Sequence, residues 1–392
     1  MREVVIIDGA RTPFGEFCGI LQDIIAIDLG ALAARGAIDR SGIKPDLIDH
    51  VVFGNALQTS SDAMYGARHV ALKSGVPLAA PALTVNRIGG SGLQALISGA
   101  QMIQLNQAEI CLVGGMENMS QSPQIVRKTR AKAVIGYSYM EDSLWAALID
   151  SYNNMMMVDT AENIAEKYNV SRLEQDEFAY RSYMLAVSAR DRGRLNEEIA
   201  PVNVGGDSGK EIIVLTDESI RETTLERLAQ LKPAIRKNGV VTSGNSSGLN
   251  DGAAALIIAS VEKAREVGLK PKARLKSYAF CGVDPDIMGI GVVPALKIAL
   301  QQAGLEIPDI DIFEINESFA CQYIACEREL NLDRDKVNVN GGAIAIGNPL
   351  AASGARLVLT LVYEMIHKDV NTGAVALSIG GGQGIAAIFE RL

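Results

Sequence analysis

The sequence predicts an α/β protein made of two similar halves, and three observations lead there. The composition is 48% hydrophobic but only 5% aromatic, with 38 glycines, which suits close packing of helices on sheets better than a β-sandwich. A set of landmarks recurs once along the chain. Glycine-rich segments fall at the carboxyl ends of predicted strands, where parallel sheets bind ligands.

The recurrence is specific. "AIDRSGIKPDLIDHVVFGN" (37–55) matches "ALQQAGLEIPDIDIFEIN" (299–316). Each reads as a helix, a Gly stop, a Pro-Asp turn and a buried strand ending in Asn. Gly42 pairs with Gly304, Asn55 with Asn316, Ser91 with Ser353 and Gly114 with Gly380. The offset of roughly 260 residues is far too long for a solenoid and implies two related halves. Between them, 118–242 has another character: "SYNNMMMV", a capping box from Ser171 to Glu174 that starts a helix, and a polar loop "GGDSGK". The expected division is 1–117 plus 243–268 for the first half, 118–242 for an inserted loop domain and 269–392 for the second half. The methionine run is read as core or lid packing, or as a partner contact.

The net charge of −9 comes with dispersed Lys and Arg. No basic stripe interleaved with aromatics is present, which argues against nucleic acid. The five cysteines (Cys18, Cys111, Cys281, Cys321, Cys326) show no CxxC pair and no zinc spacing, so neither disulfides nor a metal is expected. The start "MREVVIIDGARTPFG" lacks a signal-peptide pattern, and no apolar run reaches membrane-spanning length. The expectation is a cytoplasmic protein with no membrane partner.

Segments at strand ends include "NRIGGSG" (86–92), "VGGMENM" (113–119), "INESF" (315–319), "NGGAIAIGNPLAASG" (340–354) and "SIGGGQG" (378–384). Glycines there let backbone N–H groups approach a ligand and face a developing oxyanion. One site shared by both halves, taking an acyl or phosphate-bearing substrate, is the expectation.

These segments carry a family resemblance over essentially the whole chain. "ARTPFG", "VNRIGGSGLQAL", "GGMENMS", "TAENIAEKY", "TSGNSSGLNDGAAA", "INESFA", "VNVNGGAIAIGNPLAASGAR" and "IGGGQG" resemble the thiolases, the acetyl-CoA acetyltransferase family. The resemblance implies a duplicated αβαβα five-layered core with an inserted loop domain. It also implies coenzyme A or an acyl-CoA as ligand with no tightly bound cofactor, and a homodimer or homotetramer. The family chemistry is ping-pong: a cysteine takes the acyl group, a histidine activates it, and a second cysteine moves the α-proton.

Carried over residue by residue, the family's acylated cysteine falls at Gly89, its histidine at Asn348 and its proton-transfer cysteine at Ser378. The histidine usual before "TAEN" falls at Met156, and a glycine at Ala351. Asn316 matches an asparagine that orients an oxyanion-hole water, and the N–H groups of Gly89 and Gly380 match a second hole. Met157, Ser247 and Phe319 match the pantetheine channel; Arg221 approximates an arginine near the nucleotide. His50, His69 and His367 read as structural or solvated. Cys321, in "NESFACQ", is the thiol nearest to the site in sequence. These replacements lead to the expectation of a CoA thioester-binding protein with ping-pong chemistry disabled. It would be a non-catalytic subunit or the hetero-oligomeric partner of an active acyl-CoA enzyme. The alternative is an acyl-CoA enzyme that cleaves or forms a carbon–carbon bond without a cysteine acyl-enzyme, using Ser378, Asn348, Asn316 and Cys321.

Overall fold

The computed structural model describes residues 2–127, 139–205 and 211–392; most of the polar loop "GGDSGK" lies outside them. The first elements are β1 (Val4–Arg11), β2 (Gly15–Glu16), α1 (Ala26–Ser41), β3 (His50–Gly54), α2 (Gly66–Lys73), β4 (Ala82–Val85), α3 (Ser91–Gln104) and β5 (Ile110–Asn118). Short ribbons and helices follow: β6 (Gln124–Val126), β7 (Met140–Asp142), α4 (Ser143–Ala147), β8 (Ile149–Asp150), β9 (Met155–Met156), α5 (Met157–Lys167), α6 (Arg172–Asp191), β10 (Val202–Gly205), β11 (Glu211–Val214) and α7 (Leu225–Ala229). The chain then continues through β12 (Asn250–Ser260), α8 (Val261–Glu266), β13 (Ala273–Gly282), α9 (Val292–Ala303), β14 (Ile312–Ile315), α10 (Ala320–Leu330), α11 (Ala343–Ile346), α12 (Leu350–His367), β15 (Thr372–Ile379) and β16 (Gln383–Arg391).

Nine strands form one path, β14-β15-β16-β13-β1-β12-β5-β3-β4, with β2 paired to β12 beside it; β6-β7, β8-β9 and β10-β11 are separate ribbons. Read outward from its middle, the path repeats itself. In both arms the opening strand (β1, β13) pairs antiparallel with a late strand (β12, β16). That late strand pairs antiparallel with β5 or β15, which runs parallel to β3 or β14. Only β4 has no counterpart. Between the arms the strands pair at two positions, Val5 with Arg274 and Ile6 with Ala273.

Alternation along the strands sorts apolar side chains into layers. Val5 and Ile7 face outward with Val51, Phe53 and Ile257, under α1 and α2. Val4 and Ile6 face inward, where α3 and α12 are packed between the arms with Ile258, Val375 and Phe389. The other arm buries its outer face against α9 and α10. The result is five layers, helix–sheet–helix–sheet–helix. Both predicted Gly stops are left-handed caps, Gly42 at φ 67° and Gly304 at φ 70°, a conformation in which glycine pays no Cβ penalty. The capping box at α6 is complete: Glu174 N–H donates to Ser171 Oγ at 3.2 Å, and Ser171 N–H donates to the Glu174 carboxylate at 2.8 Å.

The segment between the arms is tied down by charge. Arg11 of β1, fully buried, donates to Asp217 at 2.6 and 2.9 Å and to Glu198 at 2.9 Å. Losing one partner of such a group strands a charge, which costs more than an exposed pair.

The central helices meet at backbone distance. A Cβ on Gly354 would lie 2.4 Å from Leu93 N. An unhindered glycine in a helix gains about 1 kcal/mol on becoming alanine. Gly354→Ala is expected to do the reverse and cost about 1–3 kcal/mol through overpacking, read as a lower urea midpoint with unchanged slope.

Candidate active site

β4 ends at Val85, and the chain turns sharply into α3. Within the turn Ile88 has φ 47°, a left-handed conformation that a β-branched residue adopts only under constraint. Ser91 supplies part of that constraint: its hydroxyl accepts from Arg87 N–H at 2.8 Å and donates to Ile88 O at 2.6 Å. Asn86 Oδ1 accepts from Ile88 N–H at 2.9 Å. Gly89 follows, and among the described residues no backbone carbonyl outside the regular elements and no side chain accepts its N–H. A Cβ there would find nothing closer than Leu350 Cδ2 at 3.8 Å, so the turn faces open space.

The other arm brings polar groups to the same space. Asn316 follows β14, Asn348 precedes α12, and Ser378 lies near the end of β15. Asn348 is braced on three sides. Its Nδ2 donates to Ser247 Oγ at 3.1 Å, and its Oδ1 accepts from Ser353 Oγ at 2.8 Å and Asn316 Nδ2 at 3.4 Å. Ser247 arrives because its loop zips onto the end of β14: Ser247 N–H donates to Ser318 O at 3.0 Å, and Ala320 N–H to Asn245 O at 2.9 Å. Asn316 Oδ1 and Ser378 Oγ are buried without a partner. Buried polar atoms in folded proteins are normally paired, so both are poised for something the chain does not supply.

These groups line a cavity of about 520 Å³. Gly89, Asn316, Asn348, Ser378, Gly380, Met157, Ser247 and Phe319 all border it. Met157 roofs Gly380, its Sδ 3.2 Å from where a Cβ would stand. Arg221 does not border it; it is exposed and pairs with Glu16 at 2.7 Å. The sequence reading missed much of the wall, including Ile88, Met119, Leu148 and Met288. The methionine run was the one available signal, and Met156 and Met157 do serve as lid.

No thiol or imidazole borders the cavity among the described residues. Cys321 is fully buried, its thiol donating to Ala161 O at 3.3 Å, and burial pushes its pKa up, which leaves it inert. His50 opens β3, His69 stacks on Tyr65, and His367 lies 2.8 Å from the Glu197 carboxylate. Among the described residues, no group of three or more His, Cys, Asp or Glu is placed to hold a metal. No helix among them is long and apolar enough to cross a membrane.

Beneath the cavity, Glu117 joins the two arms. Its carboxylate accepts N–H groups from Ala56 at 3.2 Å, Leu57 at 3.0 Å and Ala351 at 3.1 Å, and Asn55 Nδ2 at 3.0 Å. Ala351 is in the first turn of α12.

A duplicated sheet enclosing two helices whose N-termini open on one cavity defines the thiolase class of acyl-handling folds. The chain belongs to the thiolase family: residues 4–262 match the thiolase N-terminal domain and residues 269–391 the thiolase C-terminal domain. It is 45% identical to mitochondrial 3-ketoacyl-CoA thiolase of Homo sapiens over 391 residues, covering all of this chain and 98% of that one. It is also 45% identical to a probable acetyl-CoA acyltransferase of Staphylococcus aureus, with both chains fully covered. The crystal structure of the human mitochondrial enzyme in complex with CoA superposes with a TM-score of 0.97, at 46% identity, covering 100% of this chain and 98% of that one.

These relatives correct the functional expectation drawn from the sequence. A non-catalytic or partner subunit with disabled chemistry is contradicted, because proteins matching the chain end to end carry the names of catalytic thiolases and acyltransferases. The physical reason for the error is plain. Replacement of Cys, His and Cys side chains weighed more in that reading than backbone N–H donors, although oxyanion stabilisation is commonly the largest single catalytic contribution.

Burial raises the pKa of Glu117 from 4.5 to about 7, opposed by its N–H donors and aided by the charge of Asp251. Below about pH 4.5 the group is protonated folded or unfolded. Between there and pH 7 the unfolded chain releases the proton while the folded chain keeps it, so stability falls as pH rises, by about 3 kcal/mol in all. The stability of wild type relative to Glu117→Gln, followed by urea unfolding from pH 4.5 to 8, is expected to fall by about 3 kcal/mol along that curve.

Proposed function

We propose that the chain is an enzyme acting on coenzyme A thioesters, at the carbon–carbon bond beside the thioester carbonyl. This is the acyl-transfer chemistry named in its relatives. The observation that carries the reading is the cavity floor. There the N–H groups of Gly89 and Gly380 and the unpartnered Asn316 Oδ1 and Ser378 Oγ border the end of a largely apolar cavity.

A pantetheine arm passing Ser247, Met157 and Phe319 brings a thioester carbonyl over the two glycines. Fixed N–H donors then hold the negative charge that develops on that oxygen. One such donor is worth about 2.7–4 kcal/mol of transition-state stabilisation. The N-termini of α3 and α12 add positive potential of the same sense. Ser378 contributes a hydroxyl, and Asn316 an acceptor for the proton of a water or a substrate hydroxyl. Asn348 holds Asn316 in place through its bond to Ser247 and Ser353. Gly89, Asn348 and Ser378 occupy the places of the family's reactive residues, so binding and polarisation carry more of the work here. Arg221, beside Glu16, has no part in this reading.

The same reading keeps the division 1–117 plus 243–268, 118–242 and 269–392, supported by the repeated strand order. It places the enzyme in a reducing compartment such as the cytoplasm, supported by five unpaired cysteines. Exposed Met64, Leu78 and Leu83 around the edge strand β4 support an assembly of two or four copies.

Incubation with a 3-oxoacyl-CoA and CoA, with products resolved by mass spectrometry, tests the proposal. Chain-shortened acyl-CoA is expected, and Asn316→Ala is expected to lower turnover about a hundredfold. Neither cleavage nor condensation with any CoA thioester would overturn it.

A further inference from the structure

A carbanion beside a thioester carbonyl arises in two ways: an α-proton leaves to a base, or an α-carboxylate leaves as CO₂. The floor of the cavity suits the second. Ser378 is an unassisted hydroxyl and Asn316 and Asn348 are amides, none of them a base near neutral pH. Among the described residues no Cys, His, Lys or Arg borders the cavity. Its one ionisable residue, Asp150, belongs to the roof hairpin, where Oδ1 accepts from Tyr152 N–H at 2.9 Å. We propose that the site decarboxylates α-carboxyacyl-CoA thioesters, of which malonyl-CoA is the simplest. The proposal rests on the reading of the cavity as a CoA thioester site.

The floor offers donors in place of a base. Among the described residues, the N–H groups of Gly89 and Gly380 donate to no backbone carbonyl outside the regular elements. Ser378 Oγ is buried without a partner. These groups lie close together. A Cβ on Gly89 would stand 3.8 Å from Leu350 Cδ2 and 4.0 Å from Ser378 O, with nothing nearer. One on Gly380 would stand 3.8 Å from Ile88 Cδ1 and 3.2 Å from Met157 Sδ. The place of a side chain at Gly89 is therefore open, and its nearest neighbour is a leucine methyl. A carboxylate seated there meets no cation, and an unpaired charge is costly to take out of water. CO₂ carries no charge and escapes that cost. The charge passes instead to the thioester oxygen, where fixed N–H donors receive it.

In the proposed step, the bond between the α-carbon and the carboxylate carbon breaks. A lone pair of the carboxylate becomes the second C=O bond of CO₂. The pair of the broken bond forms the C=C bond of a thioester enolate, and the carbonyl π pair moves to oxygen, held by the N–H groups of Gly89 and Gly380 with Ser378 Oγ–H as a further donor. A water that donates one proton to Asn316 Oδ1 in a hydrogen bond gives its other proton to the α-carbon, and the hydroxide left behind joins CO₂ as bicarbonate. Malonyl-CoA and water thus become acetyl-CoA and bicarbonate, with atoms and charge balanced and no oxidant, metal or protein base required.

Malonyl-CoA labelled with ¹³C in its free carboxyl tests this, with products resolved by mass spectrometry. Wild-type protein is expected to form unlabelled acetyl-CoA and labelled bicarbonate about a hundredfold or more faster than buffer alone. Gly89→Leu fills the open place beside Leu350 and is expected to lower that rate about a hundredfold or more, with circular dichroism unchanged. Should that variant fail to fold, Ser378→Ala, which removes one hydroxyl and adds no bulk, is expected to lower the rate about tenfold or more. A wild-type rate within about threefold of buffer overturns the proposal, as does release of malonate and CoA in place of acetyl-CoA. A folded Gly89→Leu, or in its stead Ser378→Ala, within about threefold of wild type overturns it too. Calorimetry with CoA separates the failures: heat of binding without decarboxylation removes this inference alone, and absence of both removes the thioester reading with it.

Discussion

The architecture depends on two helices touching backbone to backbone. A Cβ on Gly92 of α3 would lie 2.6 Å from Ala351 O, and one on Gly354 of α12 would lie 2.4 Å from Leu93 N. A Cβ on Gly115 of β5 would reach within 1.8 Å of Ala351 O. The contact is reciprocal: each helix presents a glycine one residue after the equivalent serine, Ser91 or Ser353, to the first turns of the other. Spacing this close cannot slide, because interiors packed to crystal-like density leave no slack. It therefore fixes the distance between the turn before α3, which carries Gly89, and the turn before α12, which carries Asn348. Neither arm holds the site alone.

Polar satisfaction divides the molecule accordingly. Under the floor, Glu117 accepts four donors drawn from both arms, and Asn55, the counterpart of Asn316, is one of them. Above the floor, Asn316 leaves an oxygen unpartnered. Two asparagines at equivalent strand ends thus do different work, one closing the seam between the arms and one facing the cavity. The duplication supplies the positions, and the neighbours decide which is structural.

Much of this was legible in the sequence because geometry forced particular letters. The left-handed ends of α1 and α9 demand Gly42 and Gly304, and the start of α6 demands the reciprocal pair of Ser171 and Glu174. Strand ends in a duplicated sheet converge, which is why Gly89, Asn316, Asn348, Ser378 and Gly380 border one cavity. Arg221 escaped the pattern because its placement depends on an exposed partner, Glu16, that sequence spacing does not reveal. The expectation of disabled chemistry gave the absent Cys and His side chains more weight than the N–H groups of Gly89 and Gly380, although the sequence had pointed to both.

The direction of the Gly89 N–H is set by a strained turn. A residue held in a disfavoured backbone conformation costs of order 1–3 kcal/mol, and such strain persists only where the surroundings impose it. Ile88 is strained in this way, with Ser91 and Asn86 both bonded to the turn that holds it. The strain does nothing for a side chain at the next position, since Gly89 has none, and the surrounding space would accept one. What the turn does fix is the direction of the Gly89 peptide, at the N-terminus of a buried helix and beside Gly380, whose Cβ would stand 3.8 Å from Ile88 Cδ1. A costly conformation held by two side chains thus has, as its local consequence, the direction of one backbone donor beside the cavity.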